Sequence, residues 1–255
     1  MRLTRVYLEG PLTPHSVVNL PAATAAHVAK VLRARSGDPL ILFNGDGREF
    51  SGTVESVRGA RVSAAVGDGR VCERESPLSV TLIQCLLRAE RMDFVVQKAT
   101  ELGVARIVPV LSQRSVVRLD KAQAQSKSGH WRAVAVGACE QCGRNRVPEI
   151  APAQPLLNHL GDLRRGTGPL WVFEPASEPR AGGAPPPVHR AFAPPSGAIT
   201  EAHIAIGPEG GFTDDELEAF RVAGFSQVGL GPRILRAETA ALAALAWMQA
   251  KFGDM

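Results

Sequence analysis

The chain has 255 residues, 45% hydrophobic and 21% charged, the balance of a globular protein of one large domain or two smaller ones. It contains no run of ~18 apolar residues to span a membrane, no apolar signal core in the N-terminal MRLTRVYLEG, and only four cysteines (Cys72, Cys85, Cys139, Cys142), too few for a disulfide framework, so a cytoplasmic protein is expected. Residues 1–150 hold 21 Lys/Arg against 14 Asp/Glu, and residues 151–255 hold 8 against 11; the basic front half suits a polyanionic partner, or reflects no more than an arginine-rich composition.

Residues 1–70 read as short strands punctuated by turns, with one short helix expected over ATAAHVAKVLRA (23–34). The apolar run Leu40–Phe43 meets a turn at Asn44-Gly45-Asp46-Gly47. Beyond it Phe50, Gly52, Val54 and Ser56 alternate with Glu49, Ser51, Thr53 and Glu55, and a turn at Arg58-Gly59 leads into RVSAAV. This is the pattern of an antiparallel meander, and it predicts a small β-barrel, with residues 69–77 as a hinge.

From Pro77 the rhythm changes. Strands are predicted at 78–87, 106–111, 169–173, 203–206 and 226–230. Helices are predicted at 91–103, 127–144, 214–224 and 238–252; in the first of these Met92, Val95, Val96, Ala99 and Leu102 fall at helical spacing, and Gly103 and Gly143 close the first two. Alternating strands and helices imply an α/β fold: a mostly parallel sheet with helices on both faces. Residues 175–198 carry seven of the 19 prolines and are read as a flexible insert within the second domain. The Cys139-x-x-Cys142 pair has no second pair at ligand spacing and falls in a helical pattern, so both are read as buried thiols, with no metal.

The segment IGPEGGFTDDE (206–216) joins a strand to a helix. Thr213 and Glu216 form a capping box, and Phe212 and Leu217 occupy the positions of a hydrophobic staple. Asp214, Asp215 and Glu216 would repel a phosphate at that helix end, whereas a neutral or cationic ligand is tolerated. Gly207, Gly210 and Gly211 allow close approach of the backbone, and Pro208 stiffens the turn. A second loop of the same make, Gly229–Arg236, follows one strand–helix unit later. Two such loops at the carboxyl ends of adjacent strands predict a ligand crevice. The Ala/Leu-rich helix after them is expected to be buried or to form a subunit interface. No G-x-G-x-x-G follows an early strand, which disfavours a dinucleotide-type site.

IGPEGGFTDDE and LGPRILRAETAAL (230–242), with VQKATELGV (96–104), EQCGRNRVPEI (140–150) and HVAKVLRARSGDPLILFNGDG (27–47), together resemble the RsmE-type ribosomal RNA methyltransferases of the SPOUT, trefoil-knotted, class. The resemblance covers most of the chain outside the proline-rich insert. It implies a PUA-like RNA-binding β-barrel over 1–72 and a SPOUT domain over 73–255 with a deep C-terminal knot. It further implies S-adenosylmethionine as cofactor, methylation of uridine N3 in 16S rRNA of the small subunit, and a homodimer, with no membrane and no metal.

On this resemblance Phe173, Glu174, Ile206, Gly207, Pro208, Glu209, Gly210, Gly211, Leu230, Gly231, Pro232, Ile234 and Leu235 hold the cofactor, with Leu235 against the adenine. Uracil N3 must lose a proton, and arginine suits the developing anion; Arg233 and Arg236 are the catalytic candidates, unless they pair with Glu209 or Glu238. Arg5, His27, Arg33, Arg88 and Arg114 are expected at rRNA phosphates, or else form a solvated basic face. Glu140, Gln141 and Arg144 carry no assigned role. A SPOUT methyltransferase acting on another RNA such as tRNA, and a non-catalytic assembly factor, are the competing readings.

Overall fold

The structure, a computed structural model, describes residues 3–163, 168–175 and 199–255. All but the first residue of the proline-rich insert expected at 175–198 lies outside the described residues. The chain divides into two compact units: Met1–Glu75 with Val136–Val147, and Ser76–Ala135 with Pro148–Met255.

The first unit is a five-stranded sheet of β1 (Thr4–Tyr7), β2 (Val17–Asn19), β3 (Pro39–Phe43), β4 (Arg48–Arg58) and β5 (Arg61–Val71), in the order β1-β3-β4-β5-β2. β3, β4 and β5 form the expected meander, and β1 joins its edge in parallel with β3. Phe50, Val54, Ala64 and Val66 turn inward onto Val6, Leu40, Leu42 and Val28. The helix expected over 23–34 is shorter and changes form: α1 (Ala22–Ala26) passes into a single π-helical turn at His27–Val31. Its first turn has no side-chain cap to hold a longer α-helix.

Glu49 breaks the alternation. Its neighbours Ser51, Thr53 and Glu55 are exposed, but Glu49 is only 3% exposed. Its carboxylate accepts from Arg5 (2.9 Å), Arg70 (2.6 Å) and Arg74 (3.2 Å). Burial opposes the charge, yet these three guanidinium groups win and hold the carboxyl at about 2. The cluster also gathers 136–147: Arg5 donates to the Arg144 carbonyl and to Asn145 Oδ1, Arg74 donates to the Gly143 carbonyl, and Glu140 accepts from the Tyr7 amide at 2.9 Å. Arg144 pairs with Glu75. Glu140 and Arg144, left without a role by sequence, therefore help to complete the first unit.

The second unit is a seven-stranded parallel sheet. Its elements are β6 (Ser79–Cys85), α2 (Ala89–Glu101), β7 (Arg106–Leu111), α3 (Lys121–Cys142), β8 (Glu149–Ile150), β9 (Gln154–Pro155), α4 (Leu156–Asp162), β10 (Leu170–Phe173), β11 (Glu201–Ile206), α5 (Asp214–Ala223), β12 (Ser226–Val228) and α6 (Ala237–Phe252). The order is β12-β10-β11-β6-β7-β8, with β9 also on β7. Six of the seven residues of β6 are buried, as a strand covered on both faces requires. Ile83, Val108, Val172 and Ala205 pack with Leu156, Phe212, Phe220 and Phe225, while α6 packs on α2, β6 and β11. α3 starts at Lys121, earlier than expected, and its last turns belong to the first unit.

One expectation is corrected. β11 and β12, the strands that feed the two glycine loops, are not adjacent: β10 lies between them, parallel to both. Among the described residues no helix is long and apolar enough to cross a membrane, the four cysteines are free, and no cluster of three metal-binding side chains occurs.

Candidate active site

The inserted strand sets the site. Phe173 of β10 pairs with Ile206 of β11 on one side and with Val228 of β12 on the other. The chain therefore leaves the sheet at one level at Glu174, Gly207 and Gly229. A cavity of about 270 Å³ opens where these three exits lead, lined by Glu174, Gly207 and, just past Gly229, Leu230, at the carboxyl edge where parallel sheets take ligands.

Eleven of the thirteen residues expected to hold a cofactor line this cavity: Phe173, Glu174, Ile206, Gly207, Pro208, Glu209, Gly211, Leu230, Gly231, Ile234 and Leu235. Gly210 and Pro232 stand outside the lining; at Gly210 an added Cβ would come within 3.1 Å of Arg114 Cβ. The lining also takes in Ala237 and Ala240, which lie inside LGPRILRAETAAL, and Pro175, which follows Glu174. Gly211 (φ 66) and Gly231 (φ 87) hold the left-handed backbone that closes each loop.

The start of α5 is capped from within. The Glu216 amide donates to Thr213 Oγ1 at 3.3 Å, and the Thr213 amide donates to Glu216 Oε2 at 2.9 Å. Glu216 Oε1 accepts from the Gln113 amide at 2.8 Å, which ties this loop to the end of β7. Arg114 Nη1 donates to the carbonyls of Gly210 and Phe212, both at 3.1 Å. The Thr213 and Glu216 amides are thus engaged, and the exposed carboxylates of Asp214 and Asp215 stand beside them, where they repel a phosphate. Glu216→Ala strips the cap and leaves two amide donors short, at a cost of about 1–3 kcal/mol; a fall in the thermal midpoint of the full chain checks this.

Arg233 and Arg236 both line the cavity and are exposed. The carboxylates offered as their alternative partners are taken: Arg91 of α2 lies 3.2 Å from Glu209 and 3.7 Å from Glu238. Glu174 is half-buried, and burial pushes its carboxyl up to about 7 against the pull of the Phe212 amide and Arg114.

The five arginine and histidine candidates for RNA divide. His27 and Arg33 are exposed in the first unit, beside Lys30 and Arg35, and Arg88 is exposed at the start of α2. Arg114 is exposed but braces the 207–212 loop. Arg5 is buried in the Glu49 cluster with its side chain 4% exposed, so it has no free edge for a phosphate and drops out of the set.

Residues 74–249 match the RNA methyltransferase domain family, and residues 20–65 match the RNA methyltransferase PUA domain. The chain is 31% identical over 254 residues to ribosomal RNA small subunit methyltransferase E of Buchnera aphidicola subsp. Schizaphis graminum, covering 100% of this chain and 98% of the relative. It is 33% identical over 222 residues to the protein of that name from Bacillus subtilis, covering 86% and 84%. Among solved structures, ribosomal RNA small subunit methyltransferase E from Neisseria gonorrhoeae, bound to S-adenosyl methionine, is 34% identical with a TM-score of 0.84 over the whole of both chains. A Legionella pneumophila structure holding the cofactor SAM is 38% identical with a TM-score of 0.86, again over the whole of both.

Proposed function

This chain belongs to the RNA methyltransferase family, and we propose that it transfers the methyl group of S-adenosylmethionine to N3 of a uridine in 16S rRNA of the small ribosomal subunit. The observation that carries the proposal is the cavity at Glu174, Gly207 and Leu230, lined by two glycine loops and by two arginines that have no carboxylate partner among the described residues.

The donor set fits such a cofactor. Apolar Phe173, Ile206, Leu230, Ile234 and Leu235 suit a purine and a thioether-like chain, and the glycine backbone suits polar atoms brought close. The capped, acid-rich start of α5 rejects a phosphate and accepts a cation. When bound, the cofactor supplies an electrophilic methyl group. Arg233 and Arg236 then face the acceptor side, where a guanidinium stabilises charge gathering on the uracil oxygens as N3 gives up its proton. The apolar lining keeps water from that reaction.

In the first unit, exposed His27 and Arg33, with Lys30 and Arg35 beside them, support rRNA backbone contact, as does Arg88 in the second. Arg33→Ala is expected to weaken binding to small subunits and to lower the slope of log affinity against log salt by about one; an unchanged slope in filter binding removes Arg33 from the interface. α6 leaves Leu242, Ala243, Ala246 and Trp247 half-buried, which supports a homodimer. A C-terminal knot and a cytoplasmic location complete the proposal.

The test is incubation of small subunits lacking the modification with methyl-labelled S-adenosylmethionine, followed by mapping of the label. N3-methyluridine in 16S rRNA supports the proposal, and label elsewhere, or none, overturns it.

A further inference from the structure

We infer that Glu174 is the counter-ion of the methyl donor's cationic end, its α-ammonium or its sulfonium, and thereby selects a charged donor. The inference rests on reading the cavity as the S-adenosylmethionine site. Glu174 leaves β10 between the two glycine loops, with its amide bonded to the Val228 carbonyl at 3.1 Å. Its carboxylate oxygens would lie 3.5 Å and 3.9 Å from side chains added at Gly207 and Gly211, so both neighbours are bare where they pass it. The Phe212 amide favours the charged form of the carboxyl, though burial outweighs it.

Among the described residues no cation pairs with it. Arg114 is near but spends its bonds on Gly210 and Phe212. Of the other groups that face it, Glu216 is committed to the α5 cap, Glu209 to Arg91, and Cys85 of β6 is a buried thiol. Arg233 and Arg236 are exposed, whereas Glu174 is half-buried at the end of β10. A half-buried carboxyl raised to about 7 is a group waiting for positive charge. A cation beside it favours the ionised form, so binding below that value expels a proton and strengthens as pH rises.

Calorimetry of the full chain with S-adenosylmethionine, in buffers of different ionisation enthalpy, reads this directly. Affinity is expected to rise about tenfold from about pH 5.5 to about pH 7, with close to one proton released at the lower end; the donor's own ammonium and carboxylate keep their charge in this window. Glu174→Gln is expected to bind about tenfold more weakly at about pH 7, with a flat profile and no proton release. Glu218→Gln, exposed on α5 and outside the cavity, keeps the wild-type slope. S-adenosylhomocysteine separates the two cationic groups: a slope retained assigns the ammonium, a slope lost assigns the sulfonium.

Flat, proton-neutral binding of the donor by the wild type overturns the inference, and so does a wild-type slope in Glu174→Gln. An acid limb in kcat lost in Glu174→Gln, with donor affinity unchanged, would make Glu174 the acceptor of the N3 proton and overturn it as well. No donor binding at any pH is a different failure, that of the proposed function. Should Glu174→Gln misfold, which its thermal midpoint reveals, the wild-type proton count still decides.

Discussion

Arg236→Ala is expected to lower kcat for uridine methylation by about 10²–10³-fold while leaving the donor's dissociation constant within about threefold. Uracil stays neutral until N3 loses its proton, so charge on its oxygens exists only as the methyl group arrives, and a cation placed there acts on the transition state rather than on the ground state. Arg236 is positioned for this at the first residue before α6, in extended backbone (φ −65, ψ 151), with its side chain on the cavity. Nearby carboxylates do not draw it away, because Arg91 holds Glu209 and Glu238. Arg236→Lys restores part of the rate, since a point charge replaces a planar fork. Single-turnover kinetics on small subunits, beside calorimetry with the donor, separates these effects. An unchanged rate removes Arg236 from catalysis and leaves Arg233, which lines the same cavity, as the candidate.

The second large effect is on stability. Glu49→Ala is expected to cost about 3–5 kcal/mol, because it leaves Arg5 buried without a counter-ion. Arg5 is held between Glu49 and Asn145 with Phe43 under its guanidinium at 4.8 Å, and it cannot swing into water without breaking those contacts. The same cluster fixes a pH dependence. Glu49 titrates at about 2 in the folded chain against 4.5 ordinarily, so its contribution, about 3 kcal/mol, is complete above pH ~4.5 and drains away as pH falls toward ~2. Glu49→Gln removes that slope. Denaturant unfolding at several acid pH values checks both, and a wild-type slope retained in Glu49→Gln would shift the acid sensitivity to other carboxylates.

Much of the site was legible because it is local. The capping box at Thr213 and Glu216, the strand run into Gly207 and the glycine loop at 229–231 are each written within a dozen residues. The helix starting at Lys121 also carried a local signal that went unread: Asp120 and Gln123 exchange amide bonds at 3.0 Å and 2.8 Å, a capping box with aspartate and glutamine in its two places. What sequence could not supply is pairing at long range. β10 slips between β11 and β12, although nothing in LWVF announces its neighbours. Arg5 looks like any basic residue in an exposed strand until Glu49 and Asn145, 44 and 140 residues away, enclose it. α4 is not legible in sequence, because LLNHLGD is seven residues long and follows a proline.

The last turns of α3 and the loop to Val147 count with the amino-terminal sheet, not with the fold in which that helix begins. The amino-terminal unit is therefore not a separable cassette. A fragment ending at Glu75 would strand Arg5, Arg74 and the Tyr7 amide without the acceptors that Asn145, Gly143 and Glu140 provide. Heads exchanged between related enzymes must bring this twelve-residue graft from the middle of the donor gene.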